Sequence, residues 1–291
     1  MHKRTLGEKL FDCSNMIIMM ILMLATVYPF LHVVFASFSN SNLLMAHSGL
    51  LYGPLEFNVK AYEAVAKNPN ILSGYMNTLT VVLFGTAINL VLTSLGAYAL
   101  SRKNVMLGRP IMLAIVFTMF FHGGIIPMYL VVNNIMHLGN SLLALMLPVA
   151  ISTWNLIIMR TSFEQVPEGL IESARIDGAN EFVILIKIVV PVSLPVISVM
   201  ILFYGVQHWN SWFNAMIFLR DRDLFPLQLI LREIVIQNSL DDVTAGVDDV
   251  GAIAESIKYA AIVVATLPIL LIYPLLQKYF VKGVMIGAIK G

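Results

Sequence analysis

The chain has 291 residues, of which 58% are hydrophobic and only 12% charged, with a formal net charge of +1. A soluble globule carries about 25% charged residues, so the polar surface here is too small to cover one, and the composition points to an integral membrane protein. The near-zero net charge, and the confinement of charges to stretches between apolar runs, exclude a nucleic-acid-binding protein.

In chain order, six apolar segments approach the roughly 20 residues needed to cross a bilayer. They cover 16–38, 76–100, 110–132, 141–159, 183–219 and 257–277. The first is too long for the apolar core of a signal peptide and lacks a small-x-small exit, so it is expected to stay as a helix. Cys13, the single cysteine, lies beside it. It excludes an intrachain disulfide and a thiolate metal cage and reads as a small buried or interfacial residue. Pro127, Pro148, Pro191, Pro195, Pro268 and Pro274 fall in or beside these segments and are expected to kink them without breaking them. The fifth segment is too long for one straight crossing, so part of it should project into the cytoplasm or lie along the interface. With the N-terminus inside, twelve of the eighteen Lys and Arg residues fall on the cytoplasmic side, in line with the positive-inside rule. Both termini, and the loop at about 160–182, are then cytoplasmic.

That loop is polar in its first half. Pro167 suits a first helical position, and Glu168 favours the positive end of the helix dipole. Val166, Leu170, Ile171 and Ala174 recur at helical spacing opposite Glu164, Glu168, Glu172 and Arg175. Asp177-Gly178 reads as a helix stop with a left-handed glycine, and Asn180 or Glu181 opens the next helix. Three readings fit this pattern. A solvated amphipathic helix is the plainest. A lipid-surface helix is disfavoured by its acidic face. A helix that docks into a soluble partner accounts for both the stripe and the acidic rim.

The string Glu172-Ser173-Ala174, three residues, Gly178, nine residues, Ile188, one residue, Val190-Pro191 resembles the EAA loop of bacterial ABC importer permeases, E-A-A-x3-G-x9-I-x-L-P. Ser173 and Val190 are mild departures from it. "ARIDGA" at 174–179, "AYALSR" at 97–102, "HWNSW" at 208–212 and the terminal "QKYFVKGVMIGAIKG" are similar to the carbohydrate-uptake branch, near the smaller maltose-type permease subunit. "FHGGIIPMYLVV" and "WNLIIMRTSFEQVPE" look most like permeases for complex oligosaccharides that work with lipoprotein binding proteins. The resemblance spans almost the whole chain.

The resemblance implies an all-α polytopic membrane fold, one transmembrane domain over 1–291 with six helices of the type I importer permease. It also implies alternating access, in which closure of a cytoplasmic ATPase dimer is transmitted through the loop. Glu168, Glu172, Ser173, Ala174, Asp177 and Gly178 are the implied coupling residues: Glu172 for a polar contact, Ser173 and Ala174 for close packing, Gly178 for the bend. The implied partners are that ATPase, a second homologous permease subunit, an extracytoplasmic solute-binding protein, membrane lipid and an oligosaccharide, with plant-cell-wall oligosaccharides as the substrate guess. This chain is expected to bind no cofactor, ATP and magnesium residing on the ATPase. No G-x4-G-K-[ST] phosphate loop is present; the closest string, "GVMIGAIKG" from Gly283, lacks the terminal hydroxyl residue. The implied location is the bacterial cell membrane.

Trp209, Asn210, Trp212 and Asn214 bring aromatic faces and amides together near the outer end of the fifth segment. They read equally as a sugar path or as an interfacial aromatic belt. His122 with Gly123 and Gly124 reads as a packing histidine in a close or irregular helix approach. The stretch at about 220–255 holds Asp221, Asp223, Asp241, Asp242, Asp248 and Asp249 at spacings that do not make an EF-hand. It is expected to be a solvated extracytoplasmic loop, and the resemblance implies that it reaches into the binding protein. No H-E-x-x-H or G-x-S-x-G occurs, and His2, His32, His47, His122, His137 and His208 are dispersed, so neither an enzyme nor a metal site is expected. An ion-coupled secondary transporter is the alternative, but the spans are almost free of Asp and Glu.

Overall fold

The computed structural model describes residues 5–103, 105–121, 123–244, 256–272 and 274. Among them every regular element is a helix. They form two compact units, one drawn from the stretch up to 69 with 233–267, the other from 70–232 with the residues from 268 on.

In the first unit, the Leu6–Ser37 helix opens with a capping box in which Thr5 and Glu8 satisfy each other's backbone N–H groups. Its apolar side chains from Leu10 to Leu24 are exposed, as expected of a helix whose solvent is lipid. The chain then folds back through a serine-rich turn. Ser39 Oγ accepts from the Leu55 N–H, and Tyr28 Oη accepts from the Leu51 N–H. The Ser256–Ile272 helix joins this unit through a Ser41–Ser256 hydroxyl pair and an edge contact between His32 and Tyr259.

The second unit is organised on the Pro69–Ser101 helix. Its buried residues Gly74, Thr78, Val81, Gly85, Asn89, Thr93, Ala97 and Ser101 recur every three or four positions, which places them on one stripe. This helix and Leu6–Ser37 are each long and apolar enough to cross a membrane. The third, fourth and fifth apolar segments are broken, whereas the sixth is a continuous helix over Ser256–Ile272. The third stops at Phe120 and restarts at Ile125, with Gly124 at φ +86° in the gap; His122 lies outside the described residues. The fourth divides into Leu143–Met146 and Thr153–Glu164, the latter capped by Ser152. The fifth consists of Glu181–Val192, with a π-turn at Leu185–Val189, and Leu194–Trp209, bent by 88° at Ser193, followed by Phe213–Phe218.

Pro127, Pro191 and Pro268 lie within helices as expected, but two prolines stand at breaks. Pro148 stands in the gap of the fourth segment. Pro195 follows the Ser193 bend, where it has no N–H to give and its ring cannot be accommodated against the carbonyl of Pro191 in a continuous helix. The stretch expected to be a solvated loop is also different: it is helical over Leu227–Thr244, with Leu227, Leu229, Ile230 and Leu231 buried. The Thr78 hydroxyl accepts from the Leu227 N–H and so satisfies one of the helix's open donors. Asp221 is pinned by the Asn140 amide at 2.7 Å, while Asp248 and Asp249 lie outside the described residues.

Candidate coupling loop and polar path

The loop helix is Glu168–Ile176, with Pro167 just before it rather than inside it. It ends in a Schellman motif. The Ala179 N–H reaches the Ala174 carbonyl at 2.9 Å, the Gly178 N–H reaches Arg175, and Gly178 sits at φ +81°. Asn180 then caps the next helix through the Val183 N–H. The expected stripe splits in two. Ile171 and Val166 are buried with Tyr98, Phe163 and Ile184, and Ala174 packs against that cluster, whereas Leu170 points outward, as does Ile176 at 86% exposure. Glu172 is exposed and makes no ion pair or hydrogen bond among the described residues. Ser173 is exposed too, its hydroxyl turned back to the Gly169 carbonyl, so it is not closely packed within this chain. The outward face thus presents Leu170, Glu172, Ser173 and Ile176, and Asp177 closes the helix at its exposed end.

Polar contacts fix the helix at both ends. Lys103 bonds Glu168 at 2.5 Å. This bond holds the Glu168 carboxyl below the usual carboxylate range and raises the Lys103 ammonium. At the far end Glu181 takes the Tyr98 hydroxyl on one oxygen and Arg175 on the other, at 2.8 Å. The Tyr98 hydrogen bond, then Arg175, lower the Glu181 carboxyl. Arg102 and Arg160 donate to the carbonyls of Phe163 and Leu100, each at 3.0 Å, and tie the Pro69–Ser101 helix to the start of the loop.

Of the four path residues, three come together. Asn210, Trp212 and Asn214 line a pocket of about 150 Å³ at the break before Phe213, with Val149, Gln207, His208, Ser211 and Phe213. Trp209 is buried elsewhere, edge-on to Tyr75, and borders an apolar cavity between Pro69–Ser101 and Leu194–Trp209. Trp212 has the Arg232 guanidinium 3.8 Å from its ring centroid. Below the pocket runs a buried chain of polar groups. His208 Nε2 meets Asn89 Oδ1 at 2.6 Å, and Asn89 Nδ2 donates to the carbonyls of Val149 and Ala150. Tyr204 pairs with Thr93 at 2.7 Å and accepts from the Ser152 N–H. The open backbone of the broken fourth segment is satisfied by these side chains, as a non-helical stretch inside a membrane requires.

Residues 78–286 match the model of the binding-protein-dependent transport system inner membrane component. The chain belongs to that family. The permease is 40% identical to the polygalacturonan/rhamnogalacturonan transport system permease protein YtcP of Bacillus subtilis (strain 168), over 98% of this chain and 99% of the relative. It is 39% identical to Protein LplC of the same organism, over 100% and 98%. Its fold superposes with a TM-score of 0.88 and 28% identity on a bacterial ABC transporter involved in the import of the acidic polysaccharide alginate, covering 96% and 100% of the two chains. The permease is thus a type I ABC importer membrane component, a transport subunit and not an enzyme.

The contacts of several residues that organise the permease escape a sequence reading: Tyr98, Lys103 and Glu181 around the loop, Asn89 and His208 beside the pocket, Arg232 on Trp212. "AYALSR" carries Tyr98 and Arg102, but nothing in that string says that Tyr98 meets a carboxylate 83 positions later.

Proposed function

We propose that the permease imports acidic plant-cell-wall oligosaccharides in an ATP-driven complex. In it the Glu168–Ile176 helix takes the force of a separate ATPase dimer, which carries the ATP and magnesium. The other partners are a second permease subunit and an extracytoplasmic binding protein, with both termini of this chain in the cytoplasm. The observation that carries the coupling assignment is the two-sided loop helix. One face is anchored by Ile171 and by ionic contacts at both ends, so the helix can transmit force, while the other offers Leu170 and Ile176 around Glu172, which has no ion pair among the described residues. Exposed apolar groups rimmed by a carboxylate suit insertion into a partner's cleft. The substrate class rests on the near full-length similarity to a polygalacturonan/rhamnogalacturonan permease. Gentle extraction of a tagged chain should recover an ATPase with a phosphate loop and a second polytopic chain. Recovery alone, with uptake driven by an ion gradient in vesicles lacking ATP, would refute the proposal.

A further inference from the structure

Both tryptophans of "HWNSW" already have ring partners within the chain. Trp209 is buried against Tyr75, and Trp212 is covered on one face by Arg232, with Phe213 edge-on to it. The pocket wall instead offers the hydrogen-bonding groups of Asn210 and Asn214, and its Trp212 carries the Arg232 guanidinium on its ring. Arg232 is half-buried, and among the described residues its contacts are the Trp212 ring and the Met216 sulfur at 3.3 Å, with no carboxylate in ion-pair range. A guanidinium has five N–H donors in a fixed plane. Stacking uses its face, and sulfur is a weak acceptor, so most of those donors are unspent. A partly desolvated cation left so is costly, and its natural complement is a planar carboxylate taken in bidentate fashion. Asn214, beside Trp212 in the pocket, likewise has no side-chain partner among the described residues, and Asn210 spends one N–H on the Val206 carbonyl. The amides therefore remain for hydroxyl groups.

We infer that Arg232, laid on Trp212, reads the carboxylate of a uronic-acid-containing oligosaccharide, and that Asn210 and Asn214 bind its hydroxyls. This rests on the importer reading and gives its acidic substrate a defined place of recognition in the chain. The test uses the complete importer with its binding protein in proteoliposomes, and compares uptake of trigalacturonate with that of its fully methyl-esterified, uncharged counterpart. Loss of one charge-assisted contact in a half-buried site should lower trigalacturonate uptake about tenfold or more in Arg232→Gln. Uptake of the ester should stay within about twofold, and Arg232→Lys should recover part of the loss. Where the wild type does not carry the ester, ATP hydrolysis stimulated by the unloaded binding protein serves as the charge-independent reference. Equal loss for both sugars would show that Arg232 is only a clip between helices, and unchanged trigalacturonate uptake would show that it reads nothing; either overturns the inference. ATP-dependent import of neutral oligosaccharides alone would overturn the acidic substrate class with it but leave the importer reading standing. Absence of any ATP-dependent import would remove both.

Discussion

Gly178 adopts φ +81° with nothing within 4 Å of where a Cβ would stand, so the constraint on it is the backbone and not space. An L-residue in that conformation costs about 1–2 kcal/mol, and a β-branched one is worse placed still. Gly178→Val should therefore shift the bent loop about five- to thirtyfold towards other conformations. The expected result is ATP hydrolysis with little sugar moved, read as the ratio of uptake to phosphate released. Glu172→Lys should give the same uncoupling without loss of assembly, because among the described residues the side chain has no hydrogen bond or ion pair to lose; wild-type uptake in that variant would remove the carboxylate from the mechanism. Glu181 acts on the inner side. Its folded carboxyl is lowered, so its contribution is present above the unfolded value of about 4.3 and is lost only as pH falls through the lower folded value. Amide protection factors in residues 168–180, with the intrinsic pH dependence of exchange divided out, should then be flat from pH 5 to 8 and fall below about pH 4. In Glu181→Gln that acid step should shrink to the part carried by the Glu168–Lys103 contact.

At the scale of elements, what decides the architecture is where the helices stop. The long Pro69–Ser101 helix could be read from its apolar run and lack of internal proline. The broken fourth and fifth segments could not, because apolar content is the same on both sides of a break and the deciding contacts lie far away in sequence. Asn89 is the clearest case. It looks like an isolated polar residue in a span, yet its amide holds the carbonyls at 149 and 150, and its oxygen faces His208. Asn89→Leu should leave those groups unpaired and destabilise the permease by about 1–3 kcal/mol, measured as a lowered midpoint of thermal unfolding in detergent. Gly85 serves the same contact by absence of a side chain, since a Cβ there would lie 2.6 Å from His208 Nε2. The loop helix was legible for the opposite reason. Its start, its stop and its left-handed glycine are local signals, and only the outward turn of Leu170, set by the packing of Ile171 against Tyr98 and Phe163, needed the fold.

For the whole molecule, the question is which energy source the permease can use. A secondary transporter needs an ionisable group inside the span region that changes charge during the cycle. Among the described residues the buried polar side chains are Ser, Thr, Asn and one His, with no buried Asp, Glu, Lys or Arg. The sequence already hinted at this by keeping its acids out of the apolar runs. The structure adds His208, which a reading of scattered histidines passes over because its partner Asn89 is 119 positions away. Of these buried side chains, His208 has the ordinary titration range nearest neutrality, which makes it the sharpest place to test the choice. If protons drove uptake, His208→Gln would abolish the response to a pH gradient, and a protonophore would collapse uptake in the wild type at constant ATP. If ATP hydrolysis on a partner drives it, a protonophore should leave initial uptake rates unchanged while ATP is clamped. His208→Gln, which keeps an amide within reach of Asn89, should then retain ATP-dependent uptake with the same pH profile between 6 and 8. Initial rates in inverted-membrane-free proteoliposomes, with internal ATP held constant and the pH gradient varied, separate the two outcomes in one experiment.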